Sequence, residues 1–269
     1  MKGIIGAIAG DVIGSAYEFN PTRDYNFELF TPESTYTDDT VLTMANALWL
    51  LQDERHTPER LVDIMQDLCN RYQGRGYGGR FMQWIVARDP QPYNSYGNGS
   101  AMRVSPVGYY ATTLDEALDL ATISAGVTHN HPEGVKGAKA TAAAIFLTRQ
   151  GKTKEEVREY VEKSIGYNLG RTLDEIRPAY SFNELCQTTV PEALTCYLEG
   201  KDYEDVIRLA VSLAADADTL AAIAGPIASA VWDVPNEISQ PAIASLSDEF
   251  CTILLQFNEL VAKRESESL

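Results

Sequence analysis

The sequence predicts an all-α, single-domain protein. Three observations point there. Apolar residues recur at helical spacing from end to end, alternating β-branched runs are missing, and 269 residues at 45% hydrophobic suffice for one sizeable core. The first clear stripe, over 41–51, is formed by Val41, Leu42, Met44, Ala45, Leu48 and Trp49. The next, over 58–72, carries Leu61, Val62, Ile64, Met65 and Leu68, with Pro58 in the first turn, where its missing N–H costs nothing. Similar stripes follow at 114–125, 134–148, 154–165, 191–198, 203–213, 218–232 and 245–261. Two stretches, 138–144 and 214–230, are so rich in Ala and Gly that their helices approach neighbours closely and belong at the bundle centre. Gly225-Pro226 is expected to kink or break the second, because proline lacks the helical N–H and crowds the preceding turn. The segments 20–36 and 73–98 read as long irregular connections, a type usually retained for function. One domain over 1–263 is expected, followed by a polar end, 264–269, that frays.

Charge narrows the function. Twenty-two Lys and Arg stand against 38 Asp and Glu, a formal net charge of −16. Such a balance repels nucleic-acid backbones and anionic lipid. Four separated cysteines (Cys69, Cys186, Cys196, Cys251) form no C-x-x-C pair, which argues for reduced thiols rather than a zinc ribbon or disulfide framework. The apolar opening is short, glycine-rich and stopped by Asp11, unlike a signal peptide. No run reaches the about 18 apolar residues of a membrane span. The expectation is a soluble, cytoplasmic protein without membrane or nucleic-acid partners.

Several segments carry candidate chemistry. Tyr36-Thr37-Asp38-Asp39-Thr40 precedes a strong helix. Capping accounts for one acid, whereas two carboxylates flanked by hydroxyls also make an oxygen-rich site for a hard cation such as Mg²⁺ or Mn²⁺. Asp216-Ala217-Asp218-Thr219 opens another helix, and its two acids converge on one object only if they lie on the turn at its start. Carboxylates brought together need cations between them, so two metal ions are the economical reading. Gly10 and Gly14 suit tight helix packing, while Asp11 and Glu18, seven residues apart, would share a helix face. Gly97-Asn98-Gly99-Ser100-Ala101-Met102-Arg103 is either an anion-receiving loop or an ordinary glycine-rich turn. Thr128-His129-Asn130-His131 lacks a third zinc ligand, so its histidines serve hydrogen bonding near a site or helix capping, with acid–base work by His129 left open. Gly74-Arg75-Gly76-Tyr77-Gly78-Gly79 matches G-x-G-x-x-G literally, but no strand precedes it, and it reads as a mobile loop.

In their order and spacing these segments resemble the ADP-ribosylglycohydrolase family, which includes the dinitrogenase reductase-activating glycohydrolases. The resemblance runs from residue 10 to about 232. It implies an orthogonal helix bundle with a central cleft holding two divalent cations, Mg²⁺ or Mn²⁺. The implied metal ligands are Thr37, Asp38, Asp39, Asp216, Asp218 and Thr219. Glu18 is implied in catalysis or substrate gating, with Asp38, Asp39 and Asp218 as further catalytic candidates. Substrate contacts fall on Asn98, Gly99, Ser100, Met102, His129, His131 and Gly134. The implied reaction is hydrolysis of the glycosidic bond between ADP-ribose and an attached protein side chain or small molecule. A non-catalytic ADP-ribose binder and a dinuclear hydrolase of another nucleotide are the alternatives. One departure stands out: Ala214-Ala215 replace two glycines usual before the D-x-D-T motif, and their methyl groups are expected to narrow the cleft or shift the helix start.

Overall fold

The computed structural model describes residues 1–267, and the described residues form fifteen α-helices and no strand. The first, α1 (Ile5–Gly14), is buried on every side, as its isoleucines and small residues require. Then α2 (Asp38–Gln52) and α3 (Pro58–Arg71) start at Thr37 and Thr57, whose hydroxyls accept backbone N–H bonds. A short helix, α4 (Gly79–Ile85), interrupts the connection expected to be irregular. Two more short helices, α5 (Gly99–Met102) and α6 (Ser105–Tyr110), lead to α7 (Leu114–Gly126), α8 (Pro132–Arg149) and α9 (Lys154–Tyr160), the last prolonged by a π-turn over Val161–Ile165. The chain then forms α10 (Leu173–Ile176), α11 (Cys186–Glu199), α12 (Tyr203–Val211), α13 (Ala217–Val231), α14 (Asn236–Ala244) and α15 (Asp248–Glu267). No helix is long and apolar enough to cross a membrane, among the described residues. All four cysteines are free, and Cys251 is only half-buried.

The small-residue helices α8 and α13 are central, as their composition predicts. Three local expectations are corrected. Helix α13 is not broken at Gly225-Pro226, and α11 begins at Cys186 with Pro191 inside it. Proline costs about 3 kcal/mol inside a helix, but α13 is enclosed by α1, α8, α11 and α12, so packing overrides local propensity. Helix α15 continues through Arg264 to Glu267 instead of fraying, because the Arg264 guanidinium donates to the Tyr110 carbonyl and to Glu116. Of the end expected to fray, 268–269 lie outside the described residues.

The contact that orders the bundle is the antiparallel pair α1 and α13. Gly6, Gly10 and Gly14 lie four residues apart on one face of α1. A Cβ at Gly6 would come within 2.6 Å of the Gly225 carbonyl oxygen, one at Gly10 within 2.3 Å of the Ala221 oxygen, and one at Gly14 within 2.4 Å of the Asp218 Cα. The helices therefore touch backbone to backbone, and the end of α1 meets the start of α13. Gly10→Ala should destabilise the protein by about 1–3 kcal/mol in thermal denaturation, since a backbone atom must move. Gly126→Ala, where a Cβ meets nothing within 4 Å, should show no loss.

Candidate active site

The site assembles where three helix ends converge. Asp11, one turn before the end of α1, is fully buried and accepts from α2: from the Thr37 N–H at 2.9 Å, the Thr37 hydroxyl at 2.7 Å, the Thr40 N–H at 3.0 Å and the Thr40 hydroxyl. A carboxylate from one helix thus caps another. Burial pushes the Asp11 carboxyl up to about 6, with the Thr40 and Thr37 bonds opposing that rise. Meanwhile the Gly14 contact holds Asp218 beside the end of α1. The acid pairs of α2 and α13, distant in sequence, are thereby brought face to face. They touch directly: the Thr219 hydroxyl lies 3.4 Å from Asp39 Oδ2.

These groups floor a cleft of about 270 Å³ lined by Glu18, Asp38, Asp39, Asp216, Asp218 and Thr219. The opposite walls are made by Gly76, Gly78 to Arg80, Tyr93, Gly97 to Gly99, Met102, Arg103 and His129, with Glu184 also on the lining. Asp218 shares oxygens within 4.8 Å with Asp11 and Asp39 on one side and with Glu18 and Asp216 on the other. Asn98 fixes Asp216, donating to its Oδ2 at 2.6 Å while also reaching the Thr189 hydroxyl at 3.2 Å. The Thr219 N–H donates to Asp218 Oδ1 at 2.9 Å. One carboxylate oxygen of the site, Asp39 Oδ1, is buried with no hydrogen-bond partner among the described residues.

The electrostatics follow from this crowding. Burial, then mutual repulsion, raises Asp38, Asp39 and Asp218 well above the carboxylate range. Burial raises Asp216 to about 7, and burial with the Asp218 and Asp11 charges raises Glu18 to about 8. An all-oxygen donor set with an orphaned carboxylate oxygen fits hard divalent cations, which would offset this repulsion.

Several sequence-predicted residues are placed away from the cleft lining. Thr37 is engaged by Asp11 and Asp39. Ser100 lies behind the wall, donating to the Gly134 carbonyl at 2.7 Å, and Gly134 packs so tightly on Ser95 that a Cβ would lie 2.6 Å from its carbonyl oxygen. His131 caps α8, its Nδ1 accepting from the Glu133 N–H at 3.1 Å. Asn98, Gly99, Met102 and His129 do line the cleft. Glu18 is not on a common helix face with Asp11: α1 ends at Gly14, and the following turn carries Glu18 to the acids. The 74–79 loop, read from the sequence as mobile, contributes Gly76, Gly78 and Gly79 to the wall, and its Arg75 carbonyl accepts the Asp38 N–H at 2.7 Å. Sequence reading left Arg80, Tyr93, Arg103 and Glu184 out of the site. It also left out the capping role of Asp11, although a lone acid in an otherwise apolar helix was the available signal.

The family model for ADP-ribosylglycohydrolases matches residues 1–267. The chain belongs to the ADP-ribosylglycohydrolase family. It is 29% identical to the ADP-ribosylarginine hydrolase Tri1 of Pseudomonas putida, over 86% of this chain and 70% of that one. It is 26% identical to the human ADP-ribosylhydrolase ARH3, over 85% of this chain and 84% of that one. A solved ADP-ribosylglycohydrolase-related protein complex shares the fold, with a TM-score of 0.73 at 23% identity over 96% of both chains.

Of the two outcomes expected for the alanine pair, narrowing of the cleft is not what the structure shows. Neither Ala214 nor Ala215 lines the cleft. Instead Ala214 adopts φ +57°, the left-handed region, immediately before the ligand turn. Ala214→Gly should raise stability by about 1 kcal/mol by relieving that strain, read as a higher melting temperature. A second expectation concerns pH. Raised carboxyl values mean that the folded metal-free protein holds protons its unfolded chain releases, so stability falls as pH rises from about 4 through the folded values. Chelated protein should therefore melt lower at pH 8 than at pH 5, and Mg²⁺ or Mn²⁺ should restore it chiefly at pH 8, where protons no longer compete.

Proposed function

We propose that this protein hydrolyses the glycosidic bond joining the distal ribose of ADP-ribose to an attached group, releasing ADP-ribose. The observation that carries this reading is the meeting of Asp38 and Asp39 with Asp216, Asp218 and Thr219 in one cleft, supported by family membership. Asp38, Asp39, Asp216, Asp218 and Thr219 would hold two divalent cations, with Mg²⁺ and Mn²⁺ both suited to the oxygen donors. When bound, such cations polarise ligand oxygens and acidify water.

The chain's own residues do the rest. Asn98 holds Asp216 in one orientation, and Thr219 and Asp39 tie the two acid turns together, so the donor set is preorganised. Glu18, held near Asp218 and raised to about 8 in the metal-free site by burial and by the Asp218 and Asp11 charges, would be the group that moves a proton at the anomeric centre. Breaking that bond develops positive charge on the ribose ring, as in other glycoside hydrolyses. The anionic diphosphate would lie against the other walls, beside Arg80 and the Gly97-to-Gly99 turn, with the buried Arg103 behind them adding positive charge. The relatives' names include an ADP-ribosylarginine hydrolase, so an arginine-linked or other ADP-ribosylated side chain is the substrate class to try first. A cytoplasmic location belongs to the same reading.

The test is a panel of ADP-ribosylated arginine, serine and nucleotide substrates, each with Mg²⁺ and with Mn²⁺. Free ADP-ribose should appear with at least one substrate, and Asp216→Ala or Asp218→Ala should lower turnover by more than about 100-fold and abolish metal binding. Undiminished turnover after chelation, or release of inorganic phosphate instead, would sink the proposal.

A further inference from the structure

Arg103 is fully buried, yet among the described residues no carboxylate meets it and its Nε and Nη1 have no hydrogen-bond partner. Its remaining nitrogen, Nη2, donates to the Ser124 carbonyl at 2.6 Å and to the Thr128 hydroxyl oxygen at 2.9 Å. That hydroxyl in turn lies 2.7 Å from His129 Nδ1. The far nitrogen of the ring, Nε2, has no partner among the described residues. It faces the cleft turn: a Cβ built on Gly99 would lie 3.2 Å away and one on Gly97 3.6 Å away.

Proton counting decides the ring's state. A guanidinium has no acceptor, so the Thr128 oxygen must accept from Arg103. Thr128 is fully buried, and among the described residues the only acceptor its hydroxyl proton meets is His129 Nδ1. A proton on Nδ1 would strand the hydroxyl proton in the interior, at the cost of an unpaired buried donor. The imidazolium form would strand it equally and would add a second cation beside Arg103.

We propose that Arg103 and Thr128 are positioning residues that hold His129 with its single proton on Nε2, as a fixed N–H donor for an oxygen of the bound ligand. Burial and the Arg103 charge hold the His129 ring well below the usual histidine range, in keeping with this. His129 is then a binding group and not an acid–base group, which closes the choice its sequence context leaves open. The ligand half of the proposal rests on the ADP-ribose reading above, whereas the tautomer does not. Gly97 and Gly99 fit the same picture, because they leave the space in front of Nε2 free for a phosphate or ribose oxygen.

The experiment is long-range ¹H–¹⁵N correlation of ¹⁵N-histidine-labelled protein, with the three histidines assigned by a His129→Gln variant. ADP-ribose affinity is measured on the same samples in Mg²⁺. The wild-type ring should be protonated on Nε2 alone. Thr128→Val should shift the proton towards Nδ1 and weaken ADP-ribose about tenfold, the loss of one aimed hydrogen bond. Thr128→Ser, which keeps the hydroxyl, should recover both signals and so separate the relay from a folding defect. A wild-type Nδ1–H ring, or a Thr128→Val spectrum identical to wild type, would overturn the proposal. An Nε2–H spectrum in protein that binds no ADP-ribose would overturn the ligand role and the functional reading while upholding the tautomer.

Discussion

The structure depends on one close contact, the backbone-to-backbone packing of α1 against α13. Three glycines on α1 and Gly225 on α13 remove the side chains that would hold the helices apart. Because the pair is antiparallel, the same contact sets the start of α13 against the end of α1. Asp11, on that end, then captures the start of α2 through Thr37 and Thr40. Two helix starts are thus referenced to a single buried helix, and the two acid turns face each other as a result. Shape complementarity without side chains tolerates little error, so this hub suits a site whose donors must be placed closely.

The electrostatic design divides the cleft. Its floor concentrates carboxylates that burial and repulsion push towards protonation, a cost that cations would reverse. Its walls carry the opposite sign in Arg80 and Arg103, the latter without a carboxylate partner. That division would let a molecule of net charge −16 accept the proposed anionic nucleotide locally without a basic surface. His129, on the lining of the same cleft, takes its character from Thr128 and from Arg103 behind it.

Much of this was legible along the chain. The helical class followed from periodicity, and the acid turns followed from carboxylates adjacent to hydroxyls at helix starts, because both signals are local. The family resemblance added the pairing of Asp38-Asp39 with Asp216-Asp218, which local chemistry alone left as a proposal. What escaped was non-local. Arg103 sat in a quoted motif, but nothing in its neighbourhood indicated that its guanidinium would be buried behind the cleft and bonded to Thr128. His131 and Ser100 looked equivalent to His129 and Asn98 in sequence, yet a helix cap took the first and the Gly134 carbonyl the second.

The sequence by itself determined the helices, the acid and hydroxyl pairs that open two of them, and the small residues that let two helices touch. Periodicity, capping chemistry and side-chain size act within a few residues, so they can be read in one dimension. The tertiary structure decided which end of α1 meets α13, that Glu18 reaches Asp218 from a turn rather than a helix face, and that Pro226 stays helical. It also decided that Ala214 is strained rather than obstructive. Each of these outcomes depends on which distant backbone lies alongside, and packing free energy summed over many neighbours outweighs the local preference of a single residue.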